Sequence, residues 1–202
     1  MREILDKIKG LDVAEGLKNC GSEELYLRTI ENFYKLIDIK SVKLEQCLVA
    51  GEVYDYTVEV HALKNTARMI GALELSELFY QMECLGKDED LKEIERRTPE
   101  LLQLYRSYKE ALADIRSGAP ERVETDAQTI KDVLMRLHDA MDSFELDDAD
   151  AAMAELDSYI LPKDLQPLAK KLDIAVADVA IEDALKLTQK ICAQLEKLHL
   201  NS

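Results

Sequence analysis

Apolar side chains recur along this chain every three to four residues, the period of one helix face, and Gly or Pro interrupts the pattern at only a few points. "LDVAEGLKN" is a first short helical pattern that ends at Gly21. Ser22 then has the chemistry of an N-cap for "EELYLRTIENFYKLI", with Glu23 and Glu24 in the first turn where the helix dipole favours them. Leu44, Cys47 and Leu48 carry the stripe on to Ala50-Gly51. The next segment spans about residues 53 to 70 and stops at Gly71. Leu75, Leu78, Phe79, Met82 and Leu85 mark the buried face of a further helix, with Gly86 as its expected stop. From Asp88 another helix is expected, in which Thr98-Pro99-Glu100 reads as N-cap, N1 and N2 of a restart running to about Arg116.

"SGAPERVETD" (117 to 126) gathers Gly, Ser, Pro and charge with no apolar stripe, so the chain divides there: residues 1–118, a linker 119–126, and residues 127–202. The second part holds a faint repeat at an offset of 35 residues, in which "FELDDA" (144 to 149) answers "VAIEDA" (179 to 184), Leu137 matches Leu172 and Leu156 matches Ile191. Two helical hairpins follow from it. Ile130, Val133, Leu134, Leu137, Met141 and Phe144 form the stripe of the first helix, and Asp147 can cap the second. The fold class expected is therefore all-α, a helical bundle followed by a second, smaller bundle of two hairpins.

Composition narrows the function. Leu, Ala, Glu and Lys dominate, Trp is absent, and only seven Gly and four Pro are present, as in a mostly helical protein. The formal net charge of −15 repels phosphate backbones and anionic headgroups, so nucleic-acid and membrane-surface roles are disfavoured. Residues 121–202 hold 9 basic and 18 acidic side chains, net −9, which leaves −6 for residues 1–120. "MREILDKIKG" has no apolar run of signal-peptide length, and "IAVADVAI" (174 to 181) is too short to span a bilayer, so a cytoplasmic protein is expected. Cys20, Cys47, Cys84 and Cys192 form no CxxC pair and sit in apolar helical patterns, which reads as free thiols.

One residue stands out within "VEVHALKNTARMIGALELSELFY" (58 to 80). At about 100° per residue, Tyr56, Val60, Leu63, Ala67 and Ile70 lie within about 40° of one line, which makes that line the core face, and His61 points about 140° away from it. Lys64 follows at i+3 and Arg68 at i+7 in nearly the same direction. Cations beside an imidazole make sense if the ring acquires a negatively charged group, because a phosphoryl on the ring presents oxygens to Lys and Arg donors. Val58, Ala62 and Met69 fall on the same outer half and give the histidine an apolar surround of the kind that docks a partner.

These residues resemble the signature of histidine phosphotransfer (HPt) domains: His61-Ala62-Leu63-Lys64-Asn65, then Ile70-Gly71-Ala72, then "LSELFYQMECLGK". The resemblance covers roughly residues 10 to 116, with "LDVAEGLKNCGSEELYLRTIENFY" similar to the family's N-terminal helices and "AGE" to its approach to the histidine helix. It implies an antiparallel four-helix bundle that relays phosphoryl groups between receiver-domain aspartates, or from a histidine kinase. His61 matches the phosphorylated residue, Lys64 the lysine near the phosphoryl group, and Gly71 the glycine closing the helix. Asn65 departs from the smaller Gly or Ser usual there. At i+4 its side chain leans back over the turn carrying His61, where it can narrow access or hydrogen-bond one ring nitrogen.

The chemistry implied is in-line attack by a neutral imidazole nitrogen on an aspartyl phosphate, with Mg²⁺ and most charge stabilisation brought by the receiver. No Gly-rich phosphate loop or metal cage is legible, so a phosphocarrier needing no cofactor of its own is expected rather than an autonomous enzyme. The rival expectation is a scaffold or inhibitor that binds receivers or kinases without accepting phosphate. His138 has Met141, Asp142 and Glu145 as helical neighbours, acids that would repel a phosphoryl group, and reads as a surface histidine; His199 lies near the chain end and is assigned no role.

Overall fold

The computed structural model describes residue 5, residues 7–113 and residues 122–200, with side chains to residue 197. Helices make up 80% of the described residues, and no strand is present among them. The chain forms two compact units, Met1–Gly118 and Ala119–Ser202.

The first unit holds α1 (Val13–Cys20), α2 (Glu23–Ala50), α3 (Val53–Met69), α4 (Leu73–Lys87) and α5 (Leu91–Ala111). Asp12 caps α1 by accepting from the Glu15 amide at 2.9 Å, and Ser22 caps α2 by accepting from the Leu25 amide at 3.1 Å. The stripe from Glu23 to Ala50 is one unbroken helix of 28 residues. Around the core, α2 packs on α3 and α5, α4 packs on α3 and α5, and α1 lies against α2 and α3. Phe33, Tyr105 and Phe79, from three different helices, meet edge to face at ring separations of 5.4 and 5.5 Å. Tyr56 donates to the Thr98 hydroxyl at 2.7 Å, because the single hydroxyl proton of Thr98 is committed to the Ile94 carbonyl. Burial pushes the Tyr56 phenol up to about 12.

One expected stop holds to within a residue, and one expected restart is absent. The helix with Gly86 as its expected stop ends at Lys87, and a Cβ on Gly86 would meet Thr57 Oγ1 at 2.0 Å, so the glycine also lets α4 and α3 approach. Thr98-Pro99 does not restart α5, which begins at Leu91 with Asp90 as its cap, rather than at Asp88, and runs through the proline. Pro99 is exposed, so the Glu95 carbonyl that loses its partner faces water, and the Thr98 side chain bonds within the helix instead of capping a new one. The helix ends at Ala111; of the expected extension to Arg116, residues 114–116 lie outside the described residues.

The second unit holds α6 (Ala127–Asp142), α7 (Leu146–Asp157), α8 (Gln166–Ala177) and α9 (Ile181–Leu200). Here α6 packs on α7 and α9, and α8 packs on α7 and α9, which closes a core around Leu134, Leu137, Leu172 and Ile191. Part of the expected linker belongs to this unit: Val123 exchanges backbone hydrogen bonds of 2.9 Å with Ser158 and Ile160, and Asp126 caps α6.

The 35-residue repeat reappears as geometry. The Glu145 amide bonds the Ala140 carbonyl and the Ala180 amide bonds the Ala175 carbonyl, both at 2.8 Å, across Phe144 (φ 62°) and Val179 (φ 54°). Phe144 therefore leaves the predicted stripe: it is 63% exposed, because the left-handed turn swings it away from the core. Asp147 is in the first turn of α7 rather than at its cap, which is Glu145 with no side-chain bond. A β-branched residue at positive φ is strained. Val179→Gly is expected to raise the stability of this unit by about 1 kcal/mol, measurable as a higher denaturant midpoint.

Candidate functional site

The histidine helix is fixed at its C-terminal end by four contacts from residues before or early in α2. Asn19 Nδ2 donates to the Arg68 carbonyl at 3.0 Å, the Cys20 thiol lies 3.7 Å from the Met69 carbonyl, Tyr26 donates to the Ile70 carbonyl at 3.1 Å, and the Asp12 amide donates to the Gly71 carbonyl at 2.9 Å. Carbonyls at a helix end lack intrahelical partners, so this clamp satisfies them and sets the pitch and register of α3. Gly71 takes φ 82°, and a Cβ there would stand 2.0 Å from the Asp12 carbonyl oxygen.

Tyr56, Val60, Leu63, Ala67 and Ile70 are all buried, while His61 is exposed, with 55% of its side chain open to solvent. Its Nδ1 lies 2.9 Å from Glu83 Oε1, a carboxylate on α4 whose side chain is 2% exposed. Lys64 donates to Glu83 Oε2 at 2.7 Å and Lys87 to Oε1 at 2.5 Å. These two cations, Lys64 first, with the His61 bond behind them, hold the Glu83 carboxyl down to about 2 against the desolvation that would raise it. Lys87 is pushed up in return by its bond to Glu83.

An ionised carboxylate only accepts hydrogen bonds, so the ring proton must sit on Nδ1 and the lone pair on Nε2. Nε2 meets Asn65 Nδ2 at 3.3 Å. The arrangement is thus a ring of fixed tautomer, anchored through one nitrogen and presenting the other to the surface. Chemically it is a poised nucleophile, and a developing positive charge on the ring has its counter-charge in place.

Of the residues singled out by sequence, His61, Lys64 and Asn65 come together. Lys64 is drawn inward onto Glu83, with its ammonium 5.7 Å from the centre of the Tyr80 ring, rather than standing free beside the imidazole. Arg68 is exposed two turns along and has no carboxylate partner among the described residues. Val58, at 50% exposure, and Met69 and Ala62 are open as expected, and Leu73 and Tyr80 on α4 extend the apolar surround. Glu83 and Lys87 were missed. The legible signal was a lone acid within the stripe of Leu75, Ser76, Phe79, Met82 and Gly86.

His138 is half-buried rather than a plain surface residue: its Nδ1 lies 2.9 Å from the Thr188 hydroxyl, which donates to the Leu185 carbonyl, so the imidazole serves as the donor there. The side chain of His199 lies outside the described residues. All four cysteines are free, Cys20 and Cys47 buried, Cys84 and Cys192 half-buried. Among the described residues there is no cluster of three or more His, Cys, Asp or Glu that could hold a metal, and no helix long and apolar enough to cross a membrane. No known protein family, curated protein or solved structure matches the chain.

Proposed function

We propose that the chain is a phosphocarrier of the histidine phosphotransfer type, with residues 1–118 acting as an antiparallel four-helix HPt-like bundle. His61 takes a phosphoryl group from the aspartate of a response-regulator receiver domain, or from a histidine kinase, and passes it to another receiver. The observation that carries this reading is the Glu83 carboxylate on Nδ1, which leaves the Nε2 lone pair outermost. Attack by that lone pair forms the N–P bond as the acyl oxygen–phosphorus bond breaks, and the electron pair returns to the donor carboxylate. No proton needs to leave, because Nδ1–H stays with Glu83. Metal and most charge stabilisation belong to the receiver. Val58, Ala62, Met69, Leu73 and Tyr80 form the surface on which it docks, and the site needs no cofactor of its own.

The test is incubation of the full chain with a phosphorylated receiver. Acid-labile, base-stable label on the wild type and none on His61→Ala is the expected result. Stable binding of receiver or kinase with no label on either protein would instead make the chain a scaffold or inhibitor, the reading that Asn65 lying against Nε2 favours.

A further inference from the structure

The nucleophilic nitrogen of His61 is not bare. With the proton fixed on Nδ1 by an acceptor-only carboxylate, Nε2 can only accept, so the Asn65 amide turned to it at 3.3 Å must present its NH₂. Asn65 is itself exposed and its amide has no other hydrogen-bond partner among the described residues, so nothing but this bond holds it over the ring. A lone pair engaged by a donor is not available for attack until that donor leaves. Val58, Ala62 and Met69 flank the same outer face, so a protein docking there would surround Asn65 and offer its amide new partners, whereas a small donor in water would not.

We infer that Asn65 is a specificity-determining residue that guards Nε2 against small-molecule phosphoryl donors and yields it when a protein donor docks. The inference rests on the phosphoacceptor reading of His61 and adds its selectivity. With phosphoramidate in its N-protonated form as donor, the Nε2 lone pair forms the new N–P bond, the donor's own P–N bond breaks, and the ammonio nitrogen leaves with that pair as ammonia, so the barrier to be compared is attack at Nε2 alone. A single long hydrogen bond at an exposed site is worth a factor of about 2–10 in rate.

The experiment treats the full chain with potassium phosphoramidate and follows phosphohistidine by ³¹P nuclear magnetic resonance, alongside a phosphorylated receiver as donor. Asn65→Ala removes the amide, and Asn65→Leu keeps its bulk without a donor. Both variants are expected to take up phosphate from phosphoramidate about 2–10-fold faster than the wild type, with a smaller gain from the receiver. Circular dichroism checks that they fold. An unchanged rate for Asn65→Ala, an equal gain from both donors, or a Leu variant no faster than the wild type would each overturn the guard. Absence of label on the wild type from either donor would instead sink the phosphoacceptor reading, and the guard with it.

Discussion

With His61 as the proposed phosphoacceptor, Glu83→Gln is expected to lower its rate of phosphoryl uptake by about 10–100-fold, the range seen when a carboxylate that orients a metal-ligating histidine is lost. The reason is electrostatic and tautomeric rather than steric. The carboxylate, buried to 2% exposure, accepts from Nδ1 and leaves it no alternative to carrying the proton. A Gln amide can donate as well as accept, so it no longer fixes the ring proton on Nδ1, and part of the reactive tautomer is lost. The amide also removes the counter-charge for a ring that turns cationic as the N–P bond forms. Nitrogen chemical shifts of the imidazole check the tautomer, and phosphoramidate uptake checks the rate; a variant with wild-type values for both would refute the role given to Glu83.

The same substitution has a pH signature in stability. The Glu83 carboxyl titrates at about 2 when folded, against an ordinary value of 4.5. A depressed folded pKa stabilises the native state above the unfolded value and ceases to do so as pH falls through the folded one. The advantage of wild type over Glu83→Gln is therefore full above about pH 4.5 and closes toward pH 2. Denaturant midpoints measured across that window test it, and a gap that stays constant would contradict it.

Gly71→Ala destabilises the first unit by about 2–5 kcal/mol, the sum of a left-handed backbone cost and an overpacked contact. Its φ of 82° disfavours any Cβ, and that Cβ would lie 2.0 Å from the Asp12 carbonyl oxygen and 2.8 Å from the Asp12 carbonyl carbon. Backbone cannot step aside as a flexible side chain can. Relief must push the start of α1 away from the end of α3, which strains the bonds made there by Asn19, Tyr26 and the Asp12 amide. Gly51→Ala is the control. Gly51 ends α2 at φ 72° with no atom within 4 Å of a Cβ, so it carries only the backbone part, about 1–2 kcal/mol. Equal losses at the two glycines, read from urea unfolding, would show that the Asp12 contact does not matter.

The sequence by itself determined which face of α3 is buried and that His61 lies off it, because a 3.6-residue period places side chains without knowledge of any neighbour. It also determined the caps at Ser22 and Gly51 and the 35-residue repeat, all of which are local chemistry recurring at fixed spacing. Only the tertiary structure decided what His61 touches. Glu83 is 22 residues away on another helix, and no period in one helix states which acid a neighbouring helix will bring to it. Two further features were not legible either: the close approach of Thr57 that requires a glycine at Gly86, and the left-handed joint that turns Phe144 to solvent. The contacts of Glu83 and Gly86 join different helices, and such contacts exist only once the helices have met.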